Sequence, residues 1–123
     1  MGELKTILAI DDSVMELAVF RNILRKEYEV LTAESAPEAL ELLNAEPVDL
    51  ILLDIEMPGP SGFELLHQIR KIPALMETPV LVVTAHSSDD FVGHAMSEGA
   101  KGLIAKPVNP KILKENIAAI LAQ

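Results

Sequence analysis

The chain has 123 residues, half of them hydrophobic, which is enough for one domain with a sizeable core and too few for a second domain beside it. It has no cysteine, which excludes a disulfide framework, a thiolate metal site and a thiol nucleophile. A formal net charge of −9, with ten scattered Lys and Arg, argues against nucleic acid as a direct partner; no apolar run approaches the roughly 20 residues that span a bilayer and no signal pattern opens the chain, so a cytoplasmic protein with no membrane partner is expected.

Residues 5–10 form the first β-type run, apolar at Ile7, Leu8 and Ile10. Ser13 with Glu16 then offers a capping box that opens a helix carrying Leu17, Phe20 and Leu24. Residues 28–33 read as a second strand, Ser35 with Glu38 forms another capping box, and Ala36, Leu40 and Leu43 mark the buried stripe of a helix that stops near Pro47. Residues 48–53 are apolar apart from Asp49, which makes them the best candidate for a central strand buried on both faces, and the run ends abruptly at Asp54.

Met57-Pro58-Gly59-Pro60 forces a loop, after which Ser61 and Glu64 cap a third helix with Phe63, Leu66 and Ile69 inward. Pro73 and Pro79 bracket a connection to a strand over 80–83, closed by Thr84. Residues 87–98 make the weakest helix, carrying Gly93 and few large apolar residues, with Gly99 as its C-terminal cap. A short fifth strand covers 102–105, and Asn109-Pro110 starts a last helix with Leu113, Ile117 and Ile120 inward. Strands alternating with helices predict an α/β domain: a single doubly wound, five-stranded parallel sheet covered on both faces.

In such a sheet the ligand lies beyond the carboxyl ends of the strands. Those ends carry Asp11 and Asp12, then Asp54, Thr84 and Lys106. Three carboxylates on one rim repel one another unless a cation sits among them, and hard oxygen donors in an incomplete cage favour Mg²⁺. This arrangement suits phosphoryl transfer to Asp54, with the ammonium of Lys106 and the hydroxyl of Thr84 binding the other phosphoryl oxygens. Taken singly, each residue has a plainer reading: an Asp at a strand end is more often a cap, Thr a β-former, and Lys a surface cation. His67, His86 and His94 share no spacing with one another or with the acidic rim, so surface or partly buried positions are expected for them rather than metal ligation.

Together these residues resemble the receiver domain of two-component response regulators, in its stand-alone, chemotaxis-regulator-like form. The likeness covers the whole chain and rests on Asp11-Asp12, Asp54, Met57-Pro58 with Gly62, Thr84-Ala85 and Lys106-Pro107, in order. The resemblance implies a flavodoxin-like sheet of order 2-1-3-4-5, a topology the flavodoxin-like receivers illustrate in general. It implies that Asp54 accepts the phosphoryl group, that Asp12 ligates Mg²⁺ with Asp11 assisting through water, and that the backbone carbonyl of Glu56 is a further ligand. It also implies a cis Lys106-Pro107 bond. The implied partners are a sensor histidine kinase or histidine phosphotransfer protein, and a downstream protein that reads the fourth helix, fifth strand and fifth helix. Such a domain catalyses its own phosphorylation and slow hydrolysis and is otherwise no enzyme.

Four positions depart from the pattern or vary within it. Leu103 stands where receivers often carry Tyr or Phe, so the familiar coupling of the threonine to an aromatic rotamer is expected to fail. Glu56 and His86 stand where family members differ in phosphoryl lifetime, and Pro60 with Pro58 should stiffen their loop. Three other functions compete: a small phosphatase with an aspartyl nucleophile, a flavin-binding module of the same topology, and a receiver-shaped interaction module that is not phosphorylated. The chain is too short for a phosphatase cap domain, and it is poor in the aromatic residues that stack a flavin.

Overall fold

Short apolar runs separated by capped helices leave few ways to bury both sides of a sheet, and the chain takes the doubly wound one. The computed structural model describes residues 3–56, 62–85 and 88–123. In chain order these form β1 (Thr6–Ile10), α1 (Val14–Leu24), β2 (Glu29–Ala33), α2 (Ala36–Ala45), β3 (Leu50–Asp54), α3 (Gly62–Arg70), a 3-10 turn (Pro73–Leu75), β4 (Val80–Thr84), α4 (Asp89–Ser97), β5 (Gly102–Ala105) and α5 (Pro110–Leu121). All strand pairs are parallel and the order is β2-β1-β3-β4-β5, as the resemblance implied.

Successive strand residues point to opposite faces, and each face has its own core. Ile7, Ala9, Leu50, Leu52, Leu81 and Val83 meet Leu17, Phe20 and Leu24 of α1 and Leu113 and Ile117 of α5. Leu8, Ile10, Ile51, Leu53, Val80 and Val82 meet α2, α3 and Ala95 of α4. Every residue of β3 and β4 is buried, which accounts for their unbroken apolar character and leaves β2 and β5 as the edges.

The details differ from the sequence expectations in instructive ways. The central strand starts at Leu50 rather than at 48, because Asp49 turns its carboxylate to the backbone N–H of Thr6 at 2.7 Å, and it runs one residue further to include Asp54. In α2 it is Ala39 that is fully buried, while Leu40 is half-buried and packs against the same core. In α3 Leu65 takes the inward position, while Phe63 is half-buried and packs on Phe91 and His94 of α4.

Ser13 and Ser35 cap α1 and α2 by accepting from the N–H groups of Glu16 and Glu38. Neither box closes reciprocally as expected: the Glu38 carboxylate accepts from Glu34 N–H, and Glu16 faces Lys106. α4 begins at Asp89 with Ser88 as its cap, and Gly99 follows it at φ +98°, the left-handed conformation that favours glycine. The expected cap at Ser61 and the Met57-Pro58-Gly59-Pro60 loop lie outside the described residues. No helix among the described residues is long and apolar enough to cross a membrane.

Candidate functional site

The parallel sheet brings three strand ends to one edge. β1 and β3 are neighbours in register Ile10 to Leu53, so the residues that follow them, Asp11 and Asp54, arrive side by side. β4 pairs with β3 at Asp54 and Val83, which places Thr84 one step beyond the Asp54 carboxylate. Lys106 follows β5 and reaches back across the edge.

Asp11, Asp12 and Asp54 each offer an oxygen within 4.8 Å of the other two, the one such metal-ligating group among the described residues. Asp11 and Asp54 are buried and Asp12 is exposed, so the cluster opens to solvent on one side. The Ser13 N–H donates to Asp11 Oδ1 at 2.9 Å and the Glu56 N–H to Asp54 Oδ1 at 3.0 Å, fixing both carboxylates from their own turns. Lys106 Nζ lies 3.0 Å from Asp11 Oδ2, 3.7 Å from Asp54 Oδ2 and 3.5 Å from Glu16 Oε1.

Burial pushes the Asp54 carboxyl up to about 6; the charges of Asp11 and Asp12 add to this, and the Glu56 N–H and the Lys106 charge oppose it. Burial works against the Lys106 charge, but its hydrogen bond to Asp11 and the charges of Asp11, Asp54 and Glu16 outweigh that and raise its pKa. Three carboxylates, of Asp11, Glu16 and Asp54, thus share one ammonium, and Asp12 adds a fourth negative charge beside Asp54. Hard oxygen donors, a water-facing side and unneutralised charge are what a small divalent cation requires. The residues present therefore fit Mg²⁺.

Thr84 is fully buried, and its Oγ1 donates to Glu56 Oε1 at 3.2 Å. The same oxygen accepts from the Ala85 N–H at 3.3 Å. The site residues expected from the sequence thus gather on this edge, and the Thr84 hydroxyl meets the side chain of Glu56.

The model of the response regulator receiver domain matches residues 7–118. The chain belongs to that family. It is 39% identical over 108 residues to the two-component response regulator ORR6 of Oryza sativa subsp. japonica, covering 85% of this chain and 64% of that protein. To ORR5 of the same plant it is 34% identical over 117 residues, covering 94% of this chain and 87% of that one. Among solved structures, the chemotaxis protein CheY4 of Vibrio cholerae superimposes with a TM-score of 0.92 at 30% identity, over 96% of this chain and 99% of that one. The chain is thus a receiver domain of two-component signalling with the chemotaxis-regulator fold, and its Asp11, Asp12 and Asp54 form an acidic pocket compatible with a divalent cation.

This receiver has the cis Lys106-Pro107 bond that the resemblance implied. Gly62 is fixed by close approach: a Cβ there would run into Ile55 Cα and stand 2.7 Å from the Asp54 carbonyl oxygen. Leu103 is half-buried and packs against the core between the sheet and α2, α3 and α4. Met57, Pro58, Pro60 and His86 lie outside the described residues.

Three features escaped the sequence reading. Glu16 looked like a capping residue and is a neighbour of Lys106. His67 and His94 share no spacing, yet α3 and α4 bring them to opposite oxygens of Glu98, at 3.7 and 3.6 Å. The third is the Glu56 contact with Thr84 and Ala85, for which a carboxylate two residues past Asp54 was the only visible signal.

Proposed function

We propose that Asp54 accepts a phosphoryl group from the phosphohistidine of a sensor histidine kinase or histidine phosphotransfer protein. The observation that carries this is the Asp54 carboxylate itself: buried at the sheet edge, held by the Glu56 N–H, raised to about 6 and 3.7 Å from Lys106. An Asp54 oxygen attacks phosphorus, the phosphorus–nitrogen bond of the donor breaks, and its electron pair returns to the imidazole. Lys106 and Thr84 bind the transferred oxygens, the first as an ammonium and the second as a hydroxyl donor.

Asp11, Asp12, Asp54 and the Glu56 backbone carbonyl would hold Mg²⁺, which neutralises charge on the moving phosphoryl group when bound. The domain then acts as a cytoplasmic switch rather than a conventional enzyme, shifting its population toward a state that a downstream protein recognises. Exposed Met96 on α4 and Ile112 on α5 support the surface of α4, β5 and α5 as the face that partner reads.

Incubation with Mg²⁺ and a small acyl phosphate, followed by intact mass, tests this reading. Wild type should gain one phosphoryl group, and Asp54→Asn should gain none. Omitting Mg²⁺, or making Asp12→Ala, should abolish labelling with the circular dichroism unchanged. Equal labelling of Asp54→Asn would end the acceptor role, and undiminished labelling without divalent metal would end the metal's.

A further inference from the structure

The Glu56 side chain crosses from the end of β3 to the end of β4, where one of its oxygens takes two donors at once. Thr84 Oγ1 lies 3.2 Å and the Ala85 nitrogen 3.3 Å from Glu56 Oε1. A hydroxyl and a backbone N–H converging on one anionic oxygen make an oxyanion-type site. The same turn that supplies this carboxylate also supplies the N–H that holds Asp54, at 3.0 Å. The acceptor and its competitor are therefore anchored to one backbone residue.

An oxygen of a phosphoryl group on Asp54 needs these same donors, because Thr84 is the hydroxyl at this edge and Ala85 carries the next N–H. Two oxygens cannot occupy one position, and two anions placed there repel. We propose that the Glu56 carboxylate is a resident stand-in for the phosphoryl group, occupying the Thr84 and Ala85 donors until phosphorylation displaces it. This rests on Asp54 being the acceptor, and it gives Glu56 a role of its own.

Several consequences follow from that competition. The displaced interaction opposes phosphoryl binding, so Glu56 weakens the site for any phosphoryl-like anion and slows labelling of Asp54. It also gives the fully buried Thr84 hydroxyl an acceptor. The release of Glu56 is then the first change that phosphorylation makes at the β4 end, and it needs no aromatic residue at position 103.

The test compares wild type with Glu56→Ala and Glu56→Gln, all of which keep the backbone carbonyl at residue 56. At saturating Mg²⁺, beryllium fluoride binding is followed by the amide resonances of Thr84 and Ala85, and labelling by a small acyl phosphate is timed by intact mass. Glu56→Ala should bind beryllium fluoride roughly tenfold more tightly and label correspondingly faster, the scale set by one hydrogen bond to a charged group. Glu56→Gln, which keeps an acceptor oxygen and loses the charge, should fall between the two. In a Thr84→Val background the gain from Glu56→Ala should shrink, which a purely structural role for Glu56 would not produce.

A readout free of metal and phosphate separates this inference from the acceptor reading. Hydrogen exchange of the Ala85 amide should be faster in Glu56→Ala than in wild type. If wild type is never labelled, the acceptor reading fails while the exchange rates still report the contact. If wild type is labelled but Glu56→Ala is no faster and binds beryllium fluoride no better, or if the Ala85 exchange is unmoved, the stand-in role is overturned.

Discussion

Lys106 donates to Asp11 across 3.0 Å, joining the end of β5 to the end of β1 although β3 and β4 lie between those strands in the sheet. Its side chain is 18% exposed and Asp11 is 1% exposed, so solvent screens this pair little.

Removing that ammonium leaves Asp11 and Asp54 facing each other without compensation. Lys106→Met should raise the Asp54 pKa above its value of about 6, because the Lys106 charge is one of the two influences that lower it. A ¹³C carboxyl titration reads this directly. Labelling by an acyl phosphate should fall on the order of a hundredfold, the usual scale for losing one group that stabilises transferring charge. Labelling at the wild-type rate would place Lys106 outside the chemistry.

Asp54 also sets a pH dependence of stability. Its pKa rises from 3.8 to about 6 on folding, so between those values the native chain holds a proton that the unfolded chain has released. Stability contributed by this group therefore falls as pH rises through that window and stays low above it. Without Mg²⁺, Asp54→Asn should be more stable than wild type at pH 7 by on the order of 2 kcal/mol, and the advantage should fade toward pH 4. Urea midpoints across pH give the result, and an advantage that grows toward acid would contradict the assignment. Saturating Mg²⁺ should narrow the gap at pH 7, since the cation favours the ionised form.

Gly62 carries the third expectation. A methyl group there collides with the backbone of Ile55 and approaches the Asp54 carbonyl, and rigid backbone cannot give way as a flexible side chain would. Gly62→Ala should cost about 2–3 kcal/mol in denaturant unfolding, the scale of an overpacked buried contact. It should also slow labelling, because the shift falls on the backbone of Asp54, the proposed acceptor. Unchanged stability would mean that α3 approaches β3 less closely.

What was legible in the sequence is what depends on nearby residues. The caps at Ser13, Ser35 and Asn109 and the left-handed turn at Gly99 involve partners within a few positions, so their chemistry is visible along the chain. The strands of the buried centre were visible because both faces demand apolar residues; their boundaries moved by one residue at most, except where Asp49 found a partner on β1. The five site residues could be placed on one edge once the strands were parallel. The direction of their side chains could not. Thr84 and Glu56 are 28 positions apart, and nothing local says that one carboxylate will lean across to the next strand. Phe63 sits at a position suited to either core or neighbour, and only the approach of α4 turned it toward Phe91 and His94.

At the other end of α4, one side chain does the work of a clamp. Arg70 Nη1 donates to the carbonyls of Leu75 and Thr78, and Nη2 donates to that of Gly99, at 3.0, 2.8 and 3.1 Å. It thereby holds the heel of α4 to the end of α3 and to the approach of β4. Along its length, Ala95 is the residue α4 buries completely. The toe of the helix, by contrast, starts a few residues past Thr84. A disturbance that begins at Thr84 would therefore reach α4 at the end opposite the one that Arg70 clamps.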